Sequence, residues 1–304
     1  MVALGQSGDP HGAAEFFRKM PEHGLVPSTA IVTAFAQNAA AAAAATPSDA
    51  REVMSRMPQH SVVSWTAMIV ALSQHKLLSE ARAVFDSMPE KNIVSWTALL
   101  QAYALGMDVD RALSLFQEMP ERNLVSWNSM LGACAQSGEF QLAIETFHCM
   151  LLDGSRPNEI SFTIVLGACS HGGCLDKSRD YFTSMVIDHG VQHEKEHYYA
   201  MVDVLGRAGR LSKAEELIKT MPFVPASAQY EVLLGASTVQ RNAQVGGRAA
   251  EGLIALDPGN SSPYVLLANI HASTGNREQV AALWKAMKDK GVRKPPGMSL
   301  PVDV

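Results

Sequence analysis

A tripeptide returns at a fixed interval. Ser64-Trp65-Thr66, Ser95-Trp96-Thr97 and Ser126-Trp127-Asn128 lie 31 residues apart. The aromatic continues as Phe162, Tyr198, Tyr230 and Tyr264, at intervals of 35, 36, 32 and 34. A second pattern runs in phase with it. Ala81-Val84-Phe85-Met88 returns as Ala112-Leu115-Phe116-Met119, Ala143-Thr146-Phe147-Met150, Ala214-Leu217-Ile218-Met221 and Val280-Leu283-Trp284-Met287, and near the start as Ala13-Phe16-Phe17-Met20. Positions i, i+3, i+4 and i+7 share one face of a helix. Self-similarity at this period marks an array of identical supersecondary units rather than two unrelated domains.

Each unit reads as two helices. The first opens at the aromatic, with the preceding serine (Ser64, Ser95, Ser126, Ser161) as N-cap, and stops near a glycine such as Gly138 or Gly172. The second carries the Ala/aromatic/Met face. Pro21, Pro58, Pro89, Pro120 and Pro222 directly follow its last Met and help to end it. Neither helix can bury its apolar face alone; stacked neighbours can, which predicts an all-α solenoid. Nine units follow: 1–28, 29–61, 62–92, 93–123, 124–158, 159–194, 195–226, 227–260 and 261–294, with a stub at 295–304. Met1 aligns inside the first helix of a unit, so the expectation is an array that starts part-way through, from a truncated gene model or a fragment. The unit 29–61 is degenerate and carries the alanine run Ala39 to Ala45, which favours one lengthened helix.

Hydrophobic residues make up 47% of the 304 and charged ones 18%, so burial is available and global disorder is excluded. A net charge of -5 argues against a strongly electrostatic nucleic-acid binder unless charge segregates to one face. The four cysteines, Cys134, Cys149, Cys169 and Cys174, form no C-x-x-C pair and read as free thiols in a reducing compartment. Cys134 and Cys169 share one unit position, which suits small buried residues better than a metal pair. No apolar run is long enough to span a membrane, and MVALGQSGDP shows neither a transit peptide nor a secretory signal.

One stretch points elsewhere. HEKEH, His193 to His197, fits H-E-x-x-H, the spacing that places two zinc-binding histidines a turn apart around a glutamate base. The phasing puts His193 at the end of one unit and His197 at the start of the next, with Gly190 breaking the helix before them. No third ligand follows at a matching distance. The expectation is a solvated polar linker, no metal site and no catalytic constellation.

The lengths alternate among 31, 35 and 36, and units open V-V-S-W or I-V-S-W. Residues 62–92 and 93–123 end M-P-E-K-N and M-P-E-R-N, 159–194 contains VLGACSHGGCLDKSRDYF, and 195–226 contains EHYYAMVDVLGRAGRLSKAEELIKTMP. On these residues the chain resembles the pentatricopeptide repeat (PPR) family, in its plant organellar branch of mixed long and short repeats. Residues 1–61 are then partial and degenerate repeats, 62–226 the array, and 227–294 (227–260 and 261–294) resemble two E motifs. PPGMSLPVDV looks like the start of a DYW-type deaminase extension, cut before any catalytic motif. The resemblance implies a right-handed superhelical α-solenoid of stacked helix-turn-helix repeats. It implies single-stranded organellar RNA as partner, one base per repeat, in the mitochondrion or plastid. The role implied is specificity in C-to-U editing or other RNA processing, with a DYW-type deaminase acting in trans. It implies no enzyme activity of this chain's own, no cofactor, no membrane and no small-molecule substrate.

In the family a base is read by the fifth and last residues of a unit. Carried over, the pairs are Thr66 with Asn92, Thr97 with Asn123, and Asn128 with Asn158. Thr163 pairs with Glu194, and Tyr199 with Ala226, and neither is a clear code pair. Thr/Asn implies adenine and Asn/Asn a pyrimidine. The array runs 5′ to 3′ along the strand, so the first three pairs imply A-A-pyrimidine. A hydroxyl and an amide can together meet the donor and acceptor of an adenine edge. Val63, Val94, Val125 and Ile160 would wedge between bases, or else pack between units. Trp65, Trp96 and Trp127 read as core rather than as stacking platforms, and Met88 and its equivalents as core filler. Two other readings stand beside RNA binding: a protein-binding scaffold of the tetratricopeptide kind, and a fragment without function.

Overall fold

The computed structural model describes residues 51, 52, 54, 55 and 60–293. Among them are fourteen α-helices and no strand. They form pairs: α1 (Val62–Gln74) with α2 (Leu78–Asp86), α3 (Ile93–Leu105) with α4 (Val109–Glu118), α5 (Leu124–Gln136) with α6 (Phe140–Leu152), α7 (Glu159–His171) with α8 (Leu175–Ile187), α9 (Lys195–Arg207) with α10 (Leu211–Thr220), α11 (Ser227–Val239) with α12 (Ala243–Leu256), and α13 (Ser262–Ser273) with α14 (Arg277–Asp289). The alanine run, the Ala13 to Met20 face, Pro21, Pro58 and the C-terminal stub lie outside the described residues.

The chain divides into two compact units, one ending at Arg156 and one beginning at Pro157. In the first, α1, α3 and α5 pack side by side, each also touching its own second helix. In the second, α7, α9, α11 and α13 do the same. Each unit is thus an all-α solenoid of stacked helix pairs. The Ala/aromatic/Met face goes inward as its period requires: Ala81, Phe85, Met88, Ala112, Leu115, Phe116, Ala143, Phe147 and Met150 are all buried. They meet Ile69, Leu72, Leu99, Leu100, Met130 and Leu131 of the first helices, also buried. In the second unit Val202, Leu205, Ala214, Ile218, Leu234, Leu253 and Ile270 form one continuous cluster. Each such aliphatic side chain removed from water contributes about 2 kcal/mol.

The first helices begin three residues before the aromatic, not at it, and most have 13 residues. The expected serine caps are therefore corrected. Ser64, Ser95, Ser126 and Ser161 are the third helical residues, fully buried, and the N-caps are Ser61, Asn92, Asn123 and Asn158. The aromatic marks where the helix meets the preceding pair, not where its hydrogen bonding starts. Trp96 lies edge-on to Phe85 and Trp127 edge-on to Phe116, each at 4.8 Å between ring centres. These rings therefore belong to the packing between successive pairs.

Each helix pair turns on one residue in the left-handed region. Glycine fills it at Gly138, Gly173, Gly209 and Gly275, but Lys76, Met107 and Arg241 take the same conformation with φ between 53° and 60°. The carbonyls left open at the helix end are closed from beyond the turn, as by Leu77 N to Leu72 O and Asp108 N to Tyr103 O.

Candidate nucleic-acid interface

The residues nominated from the sequence fall on three rows that repeat from one first helix to the next. The second helical residue is Val63, Val94, Val125 and Ile160. All four are exposed, at 62, 56, 53 and 53%. A β-branched side chain is thus left largely in water at one register in four helices. Each helix by itself leaves an apolar edge in water at the same register.

The fifth helical residue is Thr66, Thr97, Asn128 and Thr163. Each threonine hydroxyl donates to the carbonyl four residues back: Thr66 Oγ1 to Val62 O at 2.7 Å, Thr97 to Ile93 O at 2.7 Å, and Thr163 to Glu159 O at 2.9 Å. With its proton engaged by the helix, the hydroxyl keeps only its acceptor capacity. Thr97 is the most enclosed, at 8% exposure.

The third row is the cap. Asn92 Oδ1 accepts from Val94 N and Ser95 N at 3.1 and 3.0 Å, and the Asn92 N–H donates to Ser95 Oγ at 3.1 Å. Asn123 with Ser126 and Asn158 with Ser161 repeat this reciprocal box. The last residue of one unit is therefore the first fixed point of the next helix. Its carbonyl end is committed to backbone N–H groups, so at the exposed Asn92 and Asn123 the amide N–H₂ is turned outward as a donor. The sequence reading missed this cap role. The signal was present as N-x-x-S, a capping box with serine in the acidic position.

The box persists where its residues change. In α9 the reaching residue is His197, whose Nδ1 accepts from Glu194 N at 2.9 Å. Its Nε2 donates to Glu159 O at 2.8 Å, on the first turn of α7. His197 is fully buried. His193 stacks flat on Phe182, 3.8 Å between ring centres, with Nε2 2.6 Å from Phe182 O. It occupies the unit position of Lys91 and Arg122, which lie over Phe85 and Phe116. The expectation of a solvated linker is thus corrected: both histidines are structural, and each is engaged by its own neighbours. Among the described residues no group of three or more His, Cys, Asp or Glu could hold a metal, and no helix is long and apolar enough to cross a membrane. Cys134 and Cys169 are buried, and that burial pushes each thiol up to about 11.

In the second unit the facing sides of α7, α9 and α11 enclose a groove of about 670 Å³. Thr163 and Gly167 line it from α7, and Lys195, Glu196, Tyr199, Asp203 and Arg207 from α9. Asp203 accepts from Ser170 Oγ at 2.6 Å and from Arg207 Nε at 3.0 Å.

Three periodic rows on stacked helix pairs now stand beside sequence comparison. The "PPR repeat" description matches residues 1–25, 63–93, 94–124, 160–188 and 196–222, and "PPR repeat family" matches 122–171. The chain belongs to the pentatricopeptide repeat family. Its repeats are followed by a match to the "E motif" at 241–300, which takes in α12, α13 and α14. Similar PPR proteins of Arabidopsis thaliana include At2g13600, 39% identical over 54% of this chain and 24% of that protein, and the chloroplastic At3g57430, 40% identical over 53% and 18%. The mitochondrial At1g06140 is 36% identical over 54% of this chain and 29% of that protein. The chain thus spans less than a third of the curated relatives it matches. Among solved structures, PPR10 from maize superposes with a TM-score of 0.66 at 18% identity, over 93% of this chain and 42% of PPR10. PPR10 in complex with an 18-nt psaJ RNA element does so with 0.60 at 21%, over 97% and 43%. These two likenesses establish the fold.

Proposed function

We propose that this PPR chain binds single-stranded RNA, one base per repeat, and selects adenines through repeats 62–92 and 93–123. The observation that carries the reading is the register of three rows: an exposed apolar second residue, a fifth residue offering an acceptor, and a capping asparagine offering a donor. Adenine's pairing edge carries one donor and one acceptor, which this pair complements. Asn128 with Asn158 extends the site to a pyrimidine in chain order. A protein-binding scaffold has no reason to keep a polar pair in step with an apolar edge. The solved PPR10 complex with an RNA element supports the choice of ligand.

The role we assign is that of a specificity factor for organellar C-to-U editing or RNA processing. Relatives named chloroplastic and mitochondrial support the compartment. A DYW-type deaminase acting in trans on the bound strand is the proposed partner.

Fluorescence anisotropy tests the reading, with short RNAs containing A-A-C, G-G-C or a scrambled order, at two salt concentrations. The expected result is preference for A-A-C, lost in the double variant Thr66→Asn/Thr97→Asn. Equal binding to all three with a steep salt dependence would reduce the interaction to phosphate contact and overturn base selection.

A further inference from the structure

The repeat that begins at α9 departs from the three rows in a coordinated way. Its second residue is Glu196 where four earlier helices expose valine or isoleucine. Its fifth residue is Tyr199, 40% exposed, where they carry threonine or asparagine. Its last residue is Ala226, which has no side-chain donor or acceptor. The apolar surface has moved from the second position to the fifth, three residues on and still on the same helical face. The last position has lost its hydrogen-bonding group, and at the fifth a small polar side chain has given way to an aromatic ring whose one polar atom is its hydroxyl.

Tyr199 sits in the 670 Å³ groove between α7, α9 and α11. That volume falls within the range of sites that hold small organic ligands. Among the α7 residues that line it is Gly167, where a built Cβ would meet nothing within 4 Å, so the space beside that position is open. The formal charges around the groove cancel: Lys195 and Arg207 against Glu196 and Asp203. Asp203 is already held by Arg207 and Ser170. A phosphate therefore finds little net attraction here, whereas a flat ring finds an exposed aromatic with room beside it.

We infer that Tyr199 is a stacking platform for one nucleobase, and that this repeat holds a base without choosing among the four. The inference rests on the RNA-binding reading above. Stacking is tolerant because every base has a π-face. A tolerant repeat after selective ones holds the strand in register past its coded bases without restricting the target.

The test uses the whole chain and RNAs of the form A-A-C-U-X, where X meets the fifth repeat counted from residue 62 and is A, C, G, U or an abasic site. The four bases are expected to bind equally within about threefold, and the abasic strand roughly tenfold more weakly. Tyr199→Ala should weaken all four by a similar roughly tenfold and leave the abasic strand unchanged, while Tyr199→Phe binds like the parent. Binding of all strands that survives Tyr199→Ala unchanged overturns the stacking role but leaves the RNA reading standing. A preference among the four bases at X that disappears in Tyr199→Ala also overturns it, because the tyrosine would then be selecting. Failure of the parent chain to bind any of these RNAs overturns both.

Discussion

Asn92 carries two duties that one substitution can separate. Its Oδ1 caps α3, which leaves its amide N–H₂ to serve as a donor elsewhere. Asn92→Asp keeps a cap acceptor but removes the donor; Asn92→Ala removes both. Thermal unfolding should therefore show Asn92→Asp within about 0.5 kcal/mol of the parent and Asn92→Ala destabilised by about 1 kcal/mol, while both lose preference for adenine at the first position in anisotropy. His197 makes the complementary case. Truncating it to Ala strands Glu194 N and Glu159 O and opens a void in a fully buried site. The expected cost is about 3 kcal/mol in chemical denaturation. His197→Ser restores the box used by the other repeats but not the reach to α7, so it should recover only part of that loss. Added zinc should leave the melting of the parent unchanged, and a zinc-dependent rise would revive the metal reading of HEKEH.

At the scale of the helices, the turns inside each pair are the weak points that sequence can repair. Met107 holds φ at 56°, a conformation that costs a side chain about 1 kcal/mol and glycine almost nothing. Met107→Gly loses some of that gain to the looser unfolded chain. The net expectation is a small stabilisation, up to about 1 kcal/mol, seen as a raised denaturation midpoint at constant slope. What the sequence disclosed follows the same division. The buried faces were legible because burial leaves a 3.6-residue period, as in Ala112, Leu115, Phe116 and Met119. The helix starts were not, because the conspicuous tryptophan reports packing while the cap is a quiet asparagine four residues earlier. The depth of His197 was invisible for a related reason: spacing tells which face a residue shares, not how far its neighbours cover it. The identities of the proposed base-reading residues could be carried over, but which end of a capping amide is engaged depends on a hydrogen bond that only the folded cap defines.

Across the second unit, one ion pair ties the last repeat to the segment matched by the E motif. Arg248 of α12 grips Glu215 of α10 with two bonds of 2.6 Å, and Lys219 adds a third. Chiefly the Arg248 contact holds the Glu215 carboxyl down at about 2, below its ordinary 4.5. A depressed carboxyl stabilises the fold fully above its unfolded value and loses that contribution as pH falls through its folded one. Glu215→Gln should therefore destabilise the chain at pH 7 by about 2 kcal/mol, given that Arg248 is partly solvated. The gap between variant and parent should narrow progressively from pH 4.5 toward 2 in denaturation curves. A gap that stays constant over that range would mean the pair is not what joins the two helices. Since each pair leans mainly on its neighbours, hydrogen exchange should place the loss in α9 to α12 first.

The capping asparagines also decide where this chain can be cut and rejoined. A repeat taken from the first residue of one helix to its matching asparagine looks complete on paper. Yet Asn92 is anchored by α3, not by the pair with which it is proposed to read a base. A graft at that border would deliver the asparagine onto a foreign helix start, where it is held only if a serine stands at the third position. Splices placed after Met88 or Met119, within the Pro89 or Pro120 connection, carry each asparagine together with the helix that fixes it. Recombined arrays built on that junction should inherit their parents' letters intact.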